Sequence, residues 1–186
     1  MNTVAGPVIA RKPSQPLGLL AVAGGLAYAI AGIVMIATGD VEHPVVNVLS
    51  VAWALGALCG LVGIGMLGVA GRGIFGRIAL AVSVVSYALA ALDALLIAAN
   101  AYAAEDSLLF AVSRLGTLVG MLLLGIATVA VHRWAGWRRF APFALLVALP
   151  LDILLAAVLD EQSALPPVGL AWMLIGYAVW STSDTE

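Results

Sequence analysis

The sequence predicts an all-α integral membrane protein with six transmembrane helices, and three observations support this fold class. Hydrophobic residues make up 63% of the 186-residue chain and charged residues only 10%, whereas soluble domains average about 25% charged residues. The apolar residues fall into six long segments, and short polar connections separate these segments. Because a membrane-spanning helix needs about 20 apolar residues, six spans use most of the chain and leave no room for a soluble domain.

The domain organisation follows from the first apolar segment. That segment is about 21 residues long, which exceeds the ~7–15 apolar residues of a cleaved signal peptide, so we interpret it as a retained span. The predicted organisation is a disordered cytoplasmic tail over residues 1–16, one membrane domain over 17–181 and a cytoplasmic tail over 182–186. Its six spans lie near residues 17–37, 48–70, 78–101, 108–131, 140–159 and 165–181.

The basic residues predict the orientation of the spans. Lys and Arg concentrate on the cytoplasmic side of membrane proteins, and seven of the eight precede span 1 or lie in the connections after spans 2 and 4. The other face carries acidic loop residues instead. Both termini are therefore predicted to be cytoplasmic, in an inner or plasma membrane. The basic set is Arg11, Lys12, Arg72, Arg77, Arg133, Arg138 and Arg139; the acidic set is Asp40, Glu42, Glu105, Asp106, Asp160 and Glu161.

Aromatic residues complete the predicted membrane boundaries, because Trp and Tyr concentrate at both interfaces. Trp53 and Tyr102 are expected at the outer interface. Trp172 is expected deeper, within span 6. At the inner interface we expect Trp134, Trp137, Phe140 and Trp180.

Self-comparison indicates three tandem helical hairpins, formed by spans 1–2, 3–4 and 5–6. A shift of 60 residues aligns "LGALCGLVGIGMLGVA" (55–70) with "LGTLVGMLLLGIATVA" (115–130), and a shift of 59 aligns "YAIAGI" (28–33) with "YALAAL" (87–92). The matched glycines Gly56, Gly60, Gly116 and Gly120 form small-xxx-small faces. Such faces favour close helix packing in lipid, although a ligand-binding or homodimer face is an alternative.

Three ionisable residues fall within the apolar segments: Asp93, Arg114 and Asp152. At 1.5 Å per residue they lie about 15, 9 and 12 Å below the outer boundary, so they are predicted to form one polar cluster. A charge inside the bilayer is costly and usually functional. The cluster could form salt bridges that hold the helices together, or it could line a water-filled cavity. In a third alternative, the Arg114 side chain extends into the outer interface. Asn100, Tyr102 and Pro150 are possible accessory residues.

The functional prediction is a small protein that binds or transports a solute, ion or proton through this outer-half site. The alternatives are a non-catalytic subunit of a membrane complex and a membrane enzyme acting on a lipid. No catalytic or metal-binding motif and no nucleic-acid-binding patch is present, and the single lysine, Lys12, lies outside the spans. We therefore expect no cofactor, and enzymatic activity is the less favoured possibility. Expected partners are the lipid bilayer and either another membrane protein or further copies of the chain.

Overall fold

The computed structural model describes residues 13–40, 43–99, 108–159 and 166–182. These residues are helical or lie in turns, and no strand occurs among them. The helices are α1 (Ser14–Thr38), α2 (Pro44–Leu67), α3 (Ile74–Ala98), α4 (Leu108–Val131), α5 (Ala144–Leu159) and α6 (Pro166–Thr182), with a 3₁₀ segment (Gly136–Phe143) before α5. The all-helical class predicted from the sequence is confirmed.

Four of these helices are long and apolar enough to cross a membrane: α1, α2, α3 and the part of α4 over Ala111–Val131. The remaining two are shorter, with 16 residues in α5 and 17 in α6. Outward-facing apolar side chains cover the described helices, and Val48, Val147 and Ile153 are each more than 60% exposed. Because large exposed apolar surfaces are unfavourable in water, the protein is built to be embedded in a membrane.

Local chemistry explains where the observed helices differ from the predicted spans. Helix α2 begins at Pro44, four residues before the predicted span, because His43 caps its N-terminus by accepting a hydrogen bond from the Val45 amide. It ends before Gly68, whose φ of +61° terminates the helix. The predicted start of span 5 falls in the 3₁₀ segment, where Pro142 lacks the amide that an α-helix requires.

Helices that are neighbours in sequence are neighbours in space, and α6 closes back onto α1. The α1–α6 contact depends on two glycine pairs. A Cβ on Gly18 would lie 2.8 Å from the Gly176 carbonyl oxygen, and one on Gly25 would lie 2.6 Å from that of Gly169. Within each helix the two glycines are seven residues apart, or about two helical turns. The two backbones therefore touch along one stripe, as membrane helices with small residues can.

The four glycines predicted to pack do contact other helices of the same chain. Gly56 lies against Gly24 of α1, and Gly60 lies against Ala21 of α1 and Trp172 of α6. In the second hairpin, Gly116 and Gly120 lie against Ser86 and Ser83 of α3. The two serine hydroxyls donate hydrogen bonds to carbonyls of their own helix at 2.8–2.9 Å, so they can be buried against glycine without losing a hydrogen bond.

Candidate functional site

Arg114 of α4 turns toward the middle of the helix bundle. Its Nη2 donates a hydrogen bond of 3.0 Å to the phenol oxygen of Tyr28, which is buried near the centre of α1. Helix α4 begins six residues before Arg114, so the arginine lies within the helix and not at its end. This inward contact favours a salt bridge between helices or a polar site over a guanidinium that extends into the outer interface.

Asp152 of α5 lies close enough to Arg114 for their charges to interact. Its side chain is only 7% exposed, and its Oδ1 accepts no hydrogen bond from any residue the structure describes. Buried polar atoms nearly always have a partner, so each exception requires an explanation. One oxygen of this carboxylate is therefore available to a proton, a cation or a ligand donor.

Asp93 of α3 is also buried, at 4% exposure, and it takes part in a polar interaction. The three intramembrane charges predicted from the sequence therefore belong to three different helices, all in the interior or at its edge. Arg114 and Asp152 interact electrostatically, whereas the grouping of Asp93 with this pair stays a prediction. With Asp93 beside this pair and both carboxylates ionised, the net charge would be −1, which in a medium of low dielectric constant favours the uptake of one positive charge.

Buried aromatic rings extend the site across the bundle, and we call Tyr28, Trp53, Tyr87 and Trp172 the aromatic chain. Tyr28 stacks on Trp53 with a centroid distance of 4.1 Å, and Trp53 meets the edge of Tyr87 at 5.7 Å. Tyr87 in turn meets Trp172 at 4.9 Å. These rings come from α1, α2, α3 and α6, so together with Arg114 and Asp152 all six helices contribute to one centre.

A hydrogen bond closes the aromatic chain at α6. The indole Nε1 of Trp172 donates to the phenol oxygen of Tyr87 at 2.8 Å, and the hydroxyl of Thr117 on α4 is a second partner of this oxygen. Tyr87 and Trp172 are fully buried. The phenol therefore connects three helices beside the charged residues.

Sequence reasoning did not find the aromatic chain. Trp53, expected at the outer interface, is buried between two tyrosines, where ring stacking and close packing stabilise it. Trp134, expected at the inner interface, and Trp172, expected within span 6, are also buried between helices, and the predicted depths of all three tryptophans in the membrane stay predictions. One signal was available: the shift of 59 residues aligns Tyr28 with Tyr87, and these are the two buried phenols of the site.

Of the three possible accessory residues, the structure describes Pro150. Asn100 and Tyr102 lie outside the described residues. Pro150 lies within α5, with its ring on the exposed side of the helix. Two residues later, Asp152 points to the buried side. Pro150 is therefore not in contact with the polar centre through its side chain.

The hydroxyl of Tyr87 provides a direct test of the aromatic chain. We expect Tyr87→Phe to destabilise the protein by about 1–3 kcal/mol, because the buried Trp172 N–H loses its acceptor while the ring packing is kept. Tyr177→Phe is the matched control, since this tyrosine is about half exposed beside Trp137 and Trp180 and its hydroxyl can be hydrated. Unfolding midpoints in one detergent measure both effects, and equal midpoints for the two variants would contradict the predicted role of the hydrogen bond.

Comparisons with models of known protein families, with characterised proteins and with solved structures found no match to this chain. The function must therefore be inferred from the site itself.

Proposed function

We propose that the chain is a six-helix membrane transport or binding protein whose central site takes up one monovalent cation, in the simplest case a proton. The site consists of Asp93, Arg114 and Asp152, together with the phenol of Tyr28. In this proposal α5 and α6 also cross the membrane. Their 16 and 17 residues span about 24 and 26 Å, close to the hydrocarbon thickness of about 30 Å.

The proposed orientation places the basic connections and both termini in the cytoplasm. Aromatic residues support a membrane interface at this end of the bundle. Trp137 of the 3₁₀ segment stacks on Tyr177 of α6 at 6.0 Å, and Tyr177 contacts Trp180 at 5.6 Å. Trp and Tyr accumulate at the level of the lipid headgroups, and Arg138 and Arg139 follow Trp137 directly.

The observation that carries the proposal is the buried carboxylate oxygen of Asp152. A carboxylate accepts hydrogen bonds or coordinates hard cations, and when protonated it becomes a donor. Because Arg114 also donates a hydrogen bond to Tyr28, its guanidinium is shared between Tyr28 and Asp152. A proton or a small cation on Asp152 would satisfy its oxygen and bring the charge of the three residues to zero.

The charge balance argues for a cation rather than an anion as the occupant. An anion entering the site would face two carboxylates, and the one cationic group, Arg114, is already engaged with Tyr28 and Asp152. A cation that enters the site would instead be attracted by the two carboxylates. Ionisable groups inside membrane proteins commonly form proton relays or ion pathways, and two aspartates on separate helices suit a proton that moves from one to the other.

Proteoliposomes test the proposal. We expect Asp152→Asn to reduce cation uptake at least about tenfold, because an amide cannot take a proton or neutralise a cation and loses a charge-assisted interaction worth about 1.5–3 kcal/mol. Uptake of protons is followed with a pH-sensitive dye inside the vesicles, and Na⁺ and K⁺ are followed with tracer ions.

Asp40→Asn is the matched control, because this carboxylate lies exposed in the turn after α1. It should leave uptake unchanged. If the unaltered protein and Asp152→Asn move protons, Na⁺ and K⁺ at the same rate while both remain folded, the transport proposal is wrong. The protein would then be better described as an assembly subunit with a structural charge cluster.

A further inference from the structure

A cavity of about 310 Å³ lies at the turn between α2 and α3, and three arginines line it. Arg72 belongs to the turn, Arg77 to the first turn of α3, and Arg133 follows the end of α4. Arg133 reaches across to α2, since a Cβ built on Gly68 would lie 2.9 Å from its Nη1. Three separate parts of the chain therefore bring their guanidinium groups to one cavity.

The charge around this cavity is not balanced by the residues that line it. No Asp or Glu is among the lining residues within the described part of the chain. Guanidinium groups stay charged at any physiological pH, so three of them repel one another unless an anion lies between them. Planar guanidinium groups pair with phosphate oxygens through two parallel hydrogen bonds, which makes a phosphate the anion that best fits three arginines.

The rest of the lining indicates how the phosphate arrives. Ile64, Leu67 and Leu80 supply apolar walls to the same cavity. Beside it, the first turns of α3 expose Ile74, Phe75 and Ile78, which are 79%, 48% and 52% exposed. A cavity that is basic, partly apolar and adjacent to an apolar outer surface matches a molecule with a phosphate headgroup and hydrocarbon chains. Basic pockets between membrane helices are known to bind such headgroups.

We propose that this cavity is a binding site for an anionic phospholipid, with Arg72, Arg77 and Arg133 holding its phosphate. The site is distinct from the central polar site, which no residue of the cavity joins. It lies on the face where the basic residues predict the cytoplasm, where the leaflet carries anionic lipids. The bound lipid would connect the α2–α3 turn to the end of α4.

The test measures lipid binding to the full chain by native mass spectrometry from mixed micelles of phosphatidylglycerol and phosphatidylcholine. We expect phosphatidylglycerol to bind more tightly, and each Arg→Gln change at Arg72, Arg77 or Arg133 to weaken it about fivefold, as expected for about 1 kcal/mol per arginine. Arg138→Gln is the matched control, because Arg138 is basic and on the same face but does not line the cavity. It should bind phosphatidylglycerol as the unaltered protein does.

Three outcomes overturn the proposal: no preference for phosphatidylglycerol, an equal loss in Arg138→Gln, or full displacement of the lipid by an equal concentration of glycerol 3-phosphate. The first leaves no site, the second indicates diffuse attraction to the whole basic face, and the third assigns the cavity to a soluble phosphate compound. Unfolding midpoints in pure phosphatidylcholine micelles show whether each variant is folded. Should one of the three arginine variants unfold, the two that remain folded decide between the outcomes.

Discussion

Gly25→Ala and Gly169→Ala are each expected to destabilise the protein by about 3 kcal/mol, although they add only one methyl group. A Cβ on Gly25 would lie 2.6 Å from the Gly169 carbonyl oxygen and 2.7 Å from the Met173 amide nitrogen, and a Cβ on Gly169 would lie 2.5 Å from the Gly25 carbonyl oxygen. These are backbone atoms, so α1 and α6 can make room only by moving apart. Overpacking of a tight core costs about 1–3 kcal/mol, and a clash with backbone belongs at the upper end.

Gly65→Ala is the matched control, because it is the same substitution within a helix of the bundle. Its Cβ would meet only Cδ2 of Leu80 at 2.9 Å, and the end of a leucine side chain can rotate away. Alanine also favours helix over glycine by about 1 kcal/mol, so this variant should be as stable as the original or more stable. The measurement is the unfolding midpoint in one detergent. Similar midpoints for Gly25→Ala and Gly65→Ala would show that α1 and α6 do not touch as described.

The helical fold could be predicted because the membrane imposes it. Backbone amides and carbonyls in lipid must be satisfied within the segment, so long apolar segments between polar connections leave helices as the solution. The predicted end points were close at the end of α1, before Gly39, and at both ends of α4, but α2 ends before Gly68, three residues earlier than predicted. They were missed where a neighbouring cap decides, as at His43, whose ring nitrogen begins α2 earlier than hydropathy alone indicates.

Helix pairing was less predictable than helix location. The sequence search found Gly56 and Gly60 by their spacing of four, and these glycines do face another helix. It did not find the glycines of the α1–α6 contact, which are Gly18, Gly25, Gly169 and Gly176. Two glycines seven residues apart in one helix indicate a contact only when the neighbouring helix and its antiparallel direction are known. A stripe of small residues predicts close packing, but the partner is set by the fold.

The candidate site was predictable only in its charges. Asp93, Arg114 and Asp152 were conspicuous because charge in hydrocarbon is costly. The phenol of Tyr28, which accepts a hydrogen bond from Arg114, was not, because tyrosine is as common at interfaces as in interiors and its sequence neighbours give no sign of a partner. A count of hydrophobic residues includes Tyr28, whereas in the structure its phenol oxygen is the hydrogen-bond acceptor of a partly buried guanidinium.

The second large effect concerns Arg114 itself. We expect Arg114→Met to destabilise the protein by about 3–5 kcal/mol, because it removes the cation that interacts with Asp152 and the donor to Tyr28 while both aspartates remain in the interior. Leaving one partner of a buried ion pair unpaired costs about this much. Arg138→Met, in the 3₁₀ segment at the basic face, is the control and should change stability by less than about 0.5 kcal/mol.

The double variant Arg114→Met/Asp152→Asn separates a charge interaction from mere loss of packing. If Arg114 and Asp152 interact, removing both charges costs less than the sum of the single changes, by about 0.5–3 kcal/mol. The recovery should be partial, since the Tyr28 hydroxyl still lacks its guanidinium donor. Unfolding free energies from denaturant titration in mixed micelles give all three values. Additive losses would mean that the two residues do not share a site, and the charge balance that supports cation uptake would then be lost.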